Sequence, residues 1–338
     1  MKNDLLQIEN LRIKFPLDAG DVHAVRGLNI SVREGEILGL VGESGCGKSV
    51  TAQSLLRIVP PPGEISEGNI LFNHGKDHSA GSRKQVTDIT ALSPRGKKIR
   101  EIRGNEIAMI FQEPSGSLAP IYTVGDQIIE AIMLHNDFRK DQARAIAVEM
   151  LNKVGIPDPN ESIDRYPFEF SGGMRQRAMI AMALSCQPSL LIADEPTTAL
   201  DATIQAQILK LMLDLQKEFD MAILFITHNL GVIAQIADKV AIMYLGKIVE
   251  MADVREIFNN PKHPYTVGLL KAIPRIKPDS KDERLFSIKG KVPGPFERVQ
   301  GCPFHPRCDH MIPGHCNVDV PGQVLLDNEH AVTCFLYE

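Results

Sequence analysis

Eight consecutive residues, Gly42-Glu43-Ser44-Gly45-Cys46-Gly47-Lys48-Ser49, match the phosphate-loop pattern in full. Glycines let main-chain amides converge on phosphate oxygens, and a helix amino terminus adds a favourable dipole. Lys48 is expected to reach the outer phosphates and the Ser49 hydroxyl to bind Mg²⁺, with Val50 completing the binding run. A second group, Leu190-Leu191-Ile192-Ala193-Asp194-Glu195, is an apolar strand that delivers two acids at its carboxyl end. Ligands bind at that end of open α/β sheets. Asp194 is expected to hold Mg²⁺ through water, and Glu195 to polarise an attacking water as general base. A third group is the thiols: Cys302, Cys308, Cys316 and Cys334 concentrate in the tail, while Cys46 and Cys186 stand alone. Such clustering reads as a metal site.

These residues need elements to position them. A strand pattern covers Leu5 to Phe15, a second Leu28 to Val32, and a short buried strand Glu36 to Val41 leads into the phosphate loop. Helical spacing then runs from Lys48 to about Ile58, where Pro60-Pro61-Pro62-Gly63 stops it. Residues 73–100 are polar and read as a surface loop with one short helix. A strand resumes over Gly104 to Gln112, and Thr123 to Val154 predicts two helices parted near His135-Asn136-Asp137. Ser171 suits the N-cap of a helix reaching Ser185. Strands over Ser189 to Asp194 and Met221 to Thr227 flank a helix from Ala202 to Phe219. Strands alternating with helices predict a largely parallel sheet covered by helices. From Asn259 onward prolines are frequent and periodicity fades, which places a domain boundary there.

Composition narrows the class. Of 338 residues 43% are apolar, enough for a sizeable core, and the formal net charge of -5 lacks the basic excess of a nucleic-acid binder. No run approaches a membrane span, and the amino terminus lacks the apolar stretch of a signal peptide. The chain is expected to stay in the cytoplasm, where disulfides are disfavoured.

Phe170-Ser171-Gly172-Gly173-Met174-Arg175-Gln176-Arg177 resembles the signature motif of the ATP-binding-cassette (ABC) transporter family, with Met174 where the commonest form has Gln. The order of the other motifs agrees. Gln112 resembles the family's Mg²⁺-sensing loop glutamine, Ala199-Leu200-Asp201 the loop that crosses the dimer interface, and His228 the switch histidine near the γ-phosphate. The resemblance implies ATP hydrolysis, with Ser171, Gly172 and Gly173 contacting ATP held by an opposite subunit. Phe15 is the candidate for stacking on adenine, with His23 as a fallback. The implied fold is an α/β phosphate-loop nucleotide-binding domain over residues 1–258. It comprises a mostly parallel core sheet, an antiparallel β subdomain and a helical subdomain at about 114–186. A small Cys-rich C-terminal extension follows at 259–338.

Arg103-Gly104-Asn105-Glu106-Ile107-Ala108-Met109-Ile110-Phe111-Gln112-Glu113-Pro114 is similar to the oligopeptide and dipeptide importer branch. So are Ser117-Leu118-Ala119-Pro120, with Ala119 in place of the usual asparagine, and His263-Pro264-Tyr265-Thr266 with the later Cys302 to Cys308 run. In that branch the tail cysteines hold an iron–sulfur cluster. That implies a [4Fe-4S] group on Cys302, Cys308, Cys316 and Cys334, with zinc as the competing occupant and His305, His310 and His315 as spare ligands. Cys46 reads as structural, its thiol a candidate for alkylation sensitivity, and Cys186 as core.

The implied partners are a second cassette ATPase, identical or paralogous, two transmembrane permease subunits and a separate extracytoplasmic binding protein. Nucleic acid is not expected, and the implied location is the cytoplasmic face of the membrane, held peripherally. Peptides are the preferred cargo, with oligosaccharides and nickel open. The rivals are a soluble cassette ATPase acting on DNA or ribosomes and a regulator sensing through the tail metal. The first typically carries long coiled coils or fused cassettes, and this sequence has neither.

Overall fold

The structure is a computed structural model and describes residues 4–74, 86–112, 114–198, 200–273 and 286–338. Residues 75–85 of the expected polar loop, Glu113 of the importer-like segment and Ala199 of the interface-loop motif lie outside the described residues. The strands are β1 Asp4–Leu17, β2 Gly20–Arg33, β3 Ile37–Val41, β4 Glu64–Asn73, β5 Val86–Asp88 and β6 Ile107–Ile110. They continue with β7 Leu190–Asp194, β8 Ala222–Thr227, β9 Lys239–Tyr244, β10 Lys247–Asp253, β11 Val324–Leu325 and β12 Ala331–Val332.

Two compact units divide the chain, each assembled from separated segments. The first comprises Met1–Leu6, Ser31–Glu36 and Leu71–Ile226; the second comprises Gln7–Ile30, Ile37–Ile70 and Thr227–Glu338. The division therefore does not follow the chain in two consecutive blocks.

In the first unit β6, β7 and β8 run parallel, with Ile107 beside Leu190 and Leu190 beside Ala222. Every residue of β7 and β8 is buried. Parallel strands covered on both faces are continuous apolar runs, and Leu-Leu-Ile-Ala and Ala-Ile-Leu-Phe-Ile supply them. The helices Val124–His135, Lys140–Lys153 and Gly172–Leu184 pack on one another. Their buried residues recur at helical spacing, Ile128, Ile129 and Ile132 on the first and Ala143, Ala147, Met150 and Leu151 on the second. Thr123 caps the first helix by accepting from the Asp126 amide at 3.0 Å.

In the second unit β3 runs parallel to β9, and β9 turns back into antiparallel β10. The reversal falls at Leu245 and Gly246, with φ of 43° and 80°, the twin positive values of a tight hairpin turn. The tail extends this sheet: β12 pairs with β10, Met251 opposite Ala331, and β11 pairs with β12. Regular structure beyond residue 259 is thus richer than the fading periodicity predicts. Most of β1, β2 and β4 also lies in this unit, in the order β2-β1-β4.

Several strands depart from expectation. The second runs from Gly20 to Arg33, well beyond the predicted Leu28 to Val32. β4, Glu64–Asn73, has no counterpart in the prediction, nor have β5, β9, β10, β11 and β12. The first six positions of β4 are exposed or half-buried, and only Ile70 and Phe72 are buried, too short an alternation to mark the strand.

Candidate functional site

Gly42 to Ser49 joins β3 to the helix Lys48–Leu55, as the phosphate-loop pattern requires. The glycines answer local geometry. Gly47 has φ 105°, and a Cβ there would stand 2.4 Å from the Ala24 carbonyl oxygen. At Gly42 a Cβ would stand 2.2 Å from the Met243 carbonyl oxygen. Gly47 is also the N-cap and offers no capping side chain, so the first-turn amides are left for an anion. Lys48 is only 5% exposed and folds onto the loop, donating to the carbonyls of Gly42 at 2.8 Å and Glu43 at 3.1 Å. Cys46 is buried, and burial pushes its thiol up despite the neighbouring Lys48. A buried thiol held protonated is a poor nucleophile, which argues against alkylation sensitivity. Cys186 is half-buried rather than core, its thiol 3.6 Å from the Ala131 carbonyl.

In the first unit, β7 ends in Asp194, 3% exposed, and Glu195 follows in the left-handed region at φ 49°. The Glu195 amide is anchored on the Ile226 carbonyl at 2.9 Å. Its carboxylate accepts from Gln112 Nε2 at 3.3 Å and from the Thr198 hydroxyl at 2.9 Å. Two residues 83 positions apart, each singled out in the sequence, are thereby brought together. A non-glycine residue held at positive φ stores strain, and such residues cluster at functional sites.

Ser171 does cap the helix Gly172–Leu184, accepting from the Met174 amide at 3.3 Å. A Cβ on Gly173 would meet Ile204 at 3.2 Å, whereas one on Gly172 would meet nothing within 4 Å. Asp201 caps the helix Ala202–Phe219 through the amides of Thr203 and Ile204, both at 3.0 Å. In the second unit His228 is exposed directly after β8, and Asn229 beyond it caps the next helix through the Gly231 amide. Phe15 is half-buried against Gly63, where a Cβ would stand 2.5 Å from its ring.

The tail brings its cysteines near one another. Cys302, Cys316 and Cys334 are buried, and Cys308 is half-buried. Burial pushes Cys302 up to about 11, and the neighbouring Cys316, Cys334 and Cys308 add to the rise. The donor set suits thiolate ligation, yet among the described residues no group of three or more His, Cys, Asp or Glu is placed to hold a metal ion. The expected four-cysteine centre is therefore not assembled in this fold. His305 is engaged otherwise, its Nδ1 lying 3.0 Å from the Cys302 carbonyl oxygen.

Sequence reasoning missed what surrounds Glu43. The Glu43 amide donates to the Tyr265 hydroxyl at 3.1 Å, and its carboxylate accepts from Arg307 at 2.7 and 3.2 Å. Both partners stood inside quoted motifs, but their side chains carried no pattern pointing at the loop.

The family model described as ABC transporter matches residues 25–198, and the one described as oligopeptide/dipeptide transporter, C-terminal region, matches residues 249–316. The dipeptide transport ATP-binding protein DppD of Bacillus subtilis is 46% identical over 99% of this chain and 95% of its own length. The oligopeptide transport ATP-binding protein OppD of the same organism is 51% identical over 91% of this chain and 82% of its own length. Among solved structures, the ATP-binding cassette MJ0796 bound to ADP and Pi aligns with a TM-score of 0.62 at 22% identity. That alignment covers 74% of this chain and 99% of MJ0796, and it speaks for the fold. The chain belongs to the ABC transporter family, among the ATPases that hydrolyse ATP to power transport.

Proposed function

We propose that this chain is the ATP-binding subunit of an importer for dipeptides or oligopeptides, acting peripherally at the cytoplasmic face of the membrane. The observation that carries the chemistry is Glu195, held at positive φ and hydrogen-bonded by Gln112, in a chain with a complete phosphate loop. DppD and OppD, whose names state peptide transport, support the cargo. Among the described residues no helix is long and apolar enough to cross a membrane, which suits a subunit that works with separate permeases.

In this reading the amides of Gly42 to Ser49 and Lys48 bind the phosphates of ATP, with Val50 next in the run. Mg²⁺, held by Ser49, Asp194 and Gln112, would neutralise phosphate charge. Glu195 takes the proton of the attacking water as it adds to the γ-phosphorus, and His228 steadies the charge that develops. Ser171, Gly172, Gly173 and Asp201 serve the ATP of a second cassette, and Phe15 stacks on adenine. Glu195→Gln should bind ATP yet hydrolyse it at least about a hundredfold more slowly in the assembled transporter. Near-normal turnover would remove Glu195 from the role.

The tail thiols carry a finer proposal: Cys302, Cys308, Cys316 and Cys334 close on a [4Fe-4S] cluster, ahead of zinc. The nearness of the four thiols and the matched C-terminal region support it, while the absence of a preformed ligand set weighs against it. Anaerobic purification with iron, sulfide and zinc analysis decides. Zinc alone would replace the cluster, and protein free of both metals would end the proposal.

A further inference from the structure

Glu43, the second residue of the phosphate loop, is gripped by two residues from the last quarter of the chain. Tyr265 takes its amide, and Arg307 forks across both carboxylate oxygens. Arg307 is itself fixed. It is 8% exposed, its Nε donates to the Lys289 carbonyl at 3.1 Å, and its guanidinium lies 5.8 Å from the centre of the Tyr244 ring. Burial by itself would lower the affinity of Arg307 for its proton, but the bonds to Glu43 and Tyr244 outweigh that and keep it charged. Tyr244, Tyr265 and Phe304 pack as a ring cluster with centroids 4.7 to 5.3 Å apart, so both clamps stand on one rigid support. On its other side the Glu43 carbonyl accepts from the Lys48 ammonium. One loop residue thus links the cysteine-rich tail to the lysine that meets phosphate.

We propose that Arg307 is a positioning residue for ATP: by holding Glu43 from the tail, it sets the phosphate loop in the shape that receives the phosphates. This rests on the reading of residues 42–49 as the ATP site. A loop with three glycines has wide backbone freedom, and amides serve an anion only when they already point at it. A bidentate guanidinium–carboxylate pair fixes direction as well as distance, which a single ammonium contact does not.

The test is a titration of the full chain with a fluorescent ATP analogue and Mg²⁺, run beside thermal melting. Arg307→Gln should raise Kd about tenfold at a temperature where it is folded, and it should also lower the melting transition, because a buried ion pair loses one partner. Arg307→Lys keeps the charge but cannot fork, and should raise Kd about threefold. Glu43→Gln should match Arg307→Gln, and the double variant should lose no more than the worse single, as residues acting as a unit do. A folded Arg307→Gln with Kd within about twofold of wild type overturns the proposal, as do losses that multiply in the double variant. Should Arg307→Gln fail to fold, Arg307→Lys decides by the same twofold limit. Lys48→Ala separates this inference from the reading beneath it. Wild-type affinity in Lys48→Ala sinks the ATP site and the inference together, whereas Lys48-dependent binding indifferent to Arg307 sinks the inference alone.

Discussion

The phosphate loop and the cysteine-rich tail both belong to the second unit, yet they hold their shapes by opposite means. The loop is a backbone device. Its glycines are dictated by carbonyls that a Cβ would strike, and its donors are main-chain amides at a helix start without a capping side chain. The tail is a side-chain device. Its strands are two residues long, and what ties it down is a buried network. Glu250, fully buried, accepts from the amides of Lys262 at 2.6 Å and His263 at 2.9 Å and lies 2.7 Å from His330 Nε2. Backbone devices force a strict local sequence, whereas side-chain devices spread over many positions. The two regions should accordingly fail in different ways.

The largest effect is expected at Gly47. Gly47→Val forces a Cβ into the Ala24 carbonyl at a φ that β-branched residues avoid. ATP affinity should fall at least about a hundredfold, with a melting loss of only a few degrees, because the loop and not the core is broken. Isothermal titration beside calorimetric melting checks this, and near-native affinity would mean that the loop tolerates far more distortion than its contacts allow. The tail should behave in reverse. Val332 is fully buried and pairs with Glu250 across the strands, so Val332→Asp sets a second acid beside a buried one. It should cost about 3 kcal/mol or more in stability by urea unfolding, the price of an uncompensated buried charge. ATP affinity should fall only as far as Arg307 is dislodged.

The same contrast explains what could be read in advance. Gly42 to Ser49 was legible because eight contiguous residues encode one conformation, and Asp194 with Glu195 because an apolar strand ends in acids. The Ser171 and Asp201 caps follow from small polar residues standing before helical spacing. Gln112 and Glu195 could be matched as strand-end residues, although their hydrogen bond is a tertiary fact. By contrast Arg307 and Glu43 lie 264 positions apart, and nothing local to either announces the other. The strand β4 was silent because its first six residues are exposed or half-buried and only Ile70 and Phe72 alternate into the core. Four clustered cysteines drew attention to the tail for a metal, while its visible anchorage rests on Glu250, His263, His330 and Arg307.

A pH titration sharpens the comparison further. His263 is buried, its amide bonded to Glu250, its Nδ1 accepting from the Tyr265 amide at 3.0 Å and its ring beside Phe304. Burial lowers its pKa to about 3. The folded chain therefore keeps His263 neutral where the unfolded chain protonates it. Stability is unaffected above the ordinary histidine value of about 6.5 and is lost progressively as pH falls from there toward the folded value. His263→Asn retains a capping acceptor and should make the slope of unfolding free energy against pH shallower by up to about one proton between pH 6 and 4. An unchanged slope would remove His263 as the source of the acid sensitivity.

The smallest effect on the isolated chain is expected at Gly172, and its smallness is what makes it informative. A Cβ there meets nothing within 4 Å, while one at Gly173 meets Ile204 at 3.2 Å. Gly172 is the first residue of its helix after the Ser171 cap, where alanine is readily accommodated. Gly172→Ala should thus change folding stability by no more than about 0.5 kcal/mol, as surface changes away from special features do. If the signature glycines serve a second cassette, the same substitution must still slow ATP turnover in the assembled transporter, because the space it fills belongs to a partner's nucleotide. Unaltered turnover would mean that this face meets no such ligand, and the backbone logic of the phosphate loop would then stop at the chain's own loop.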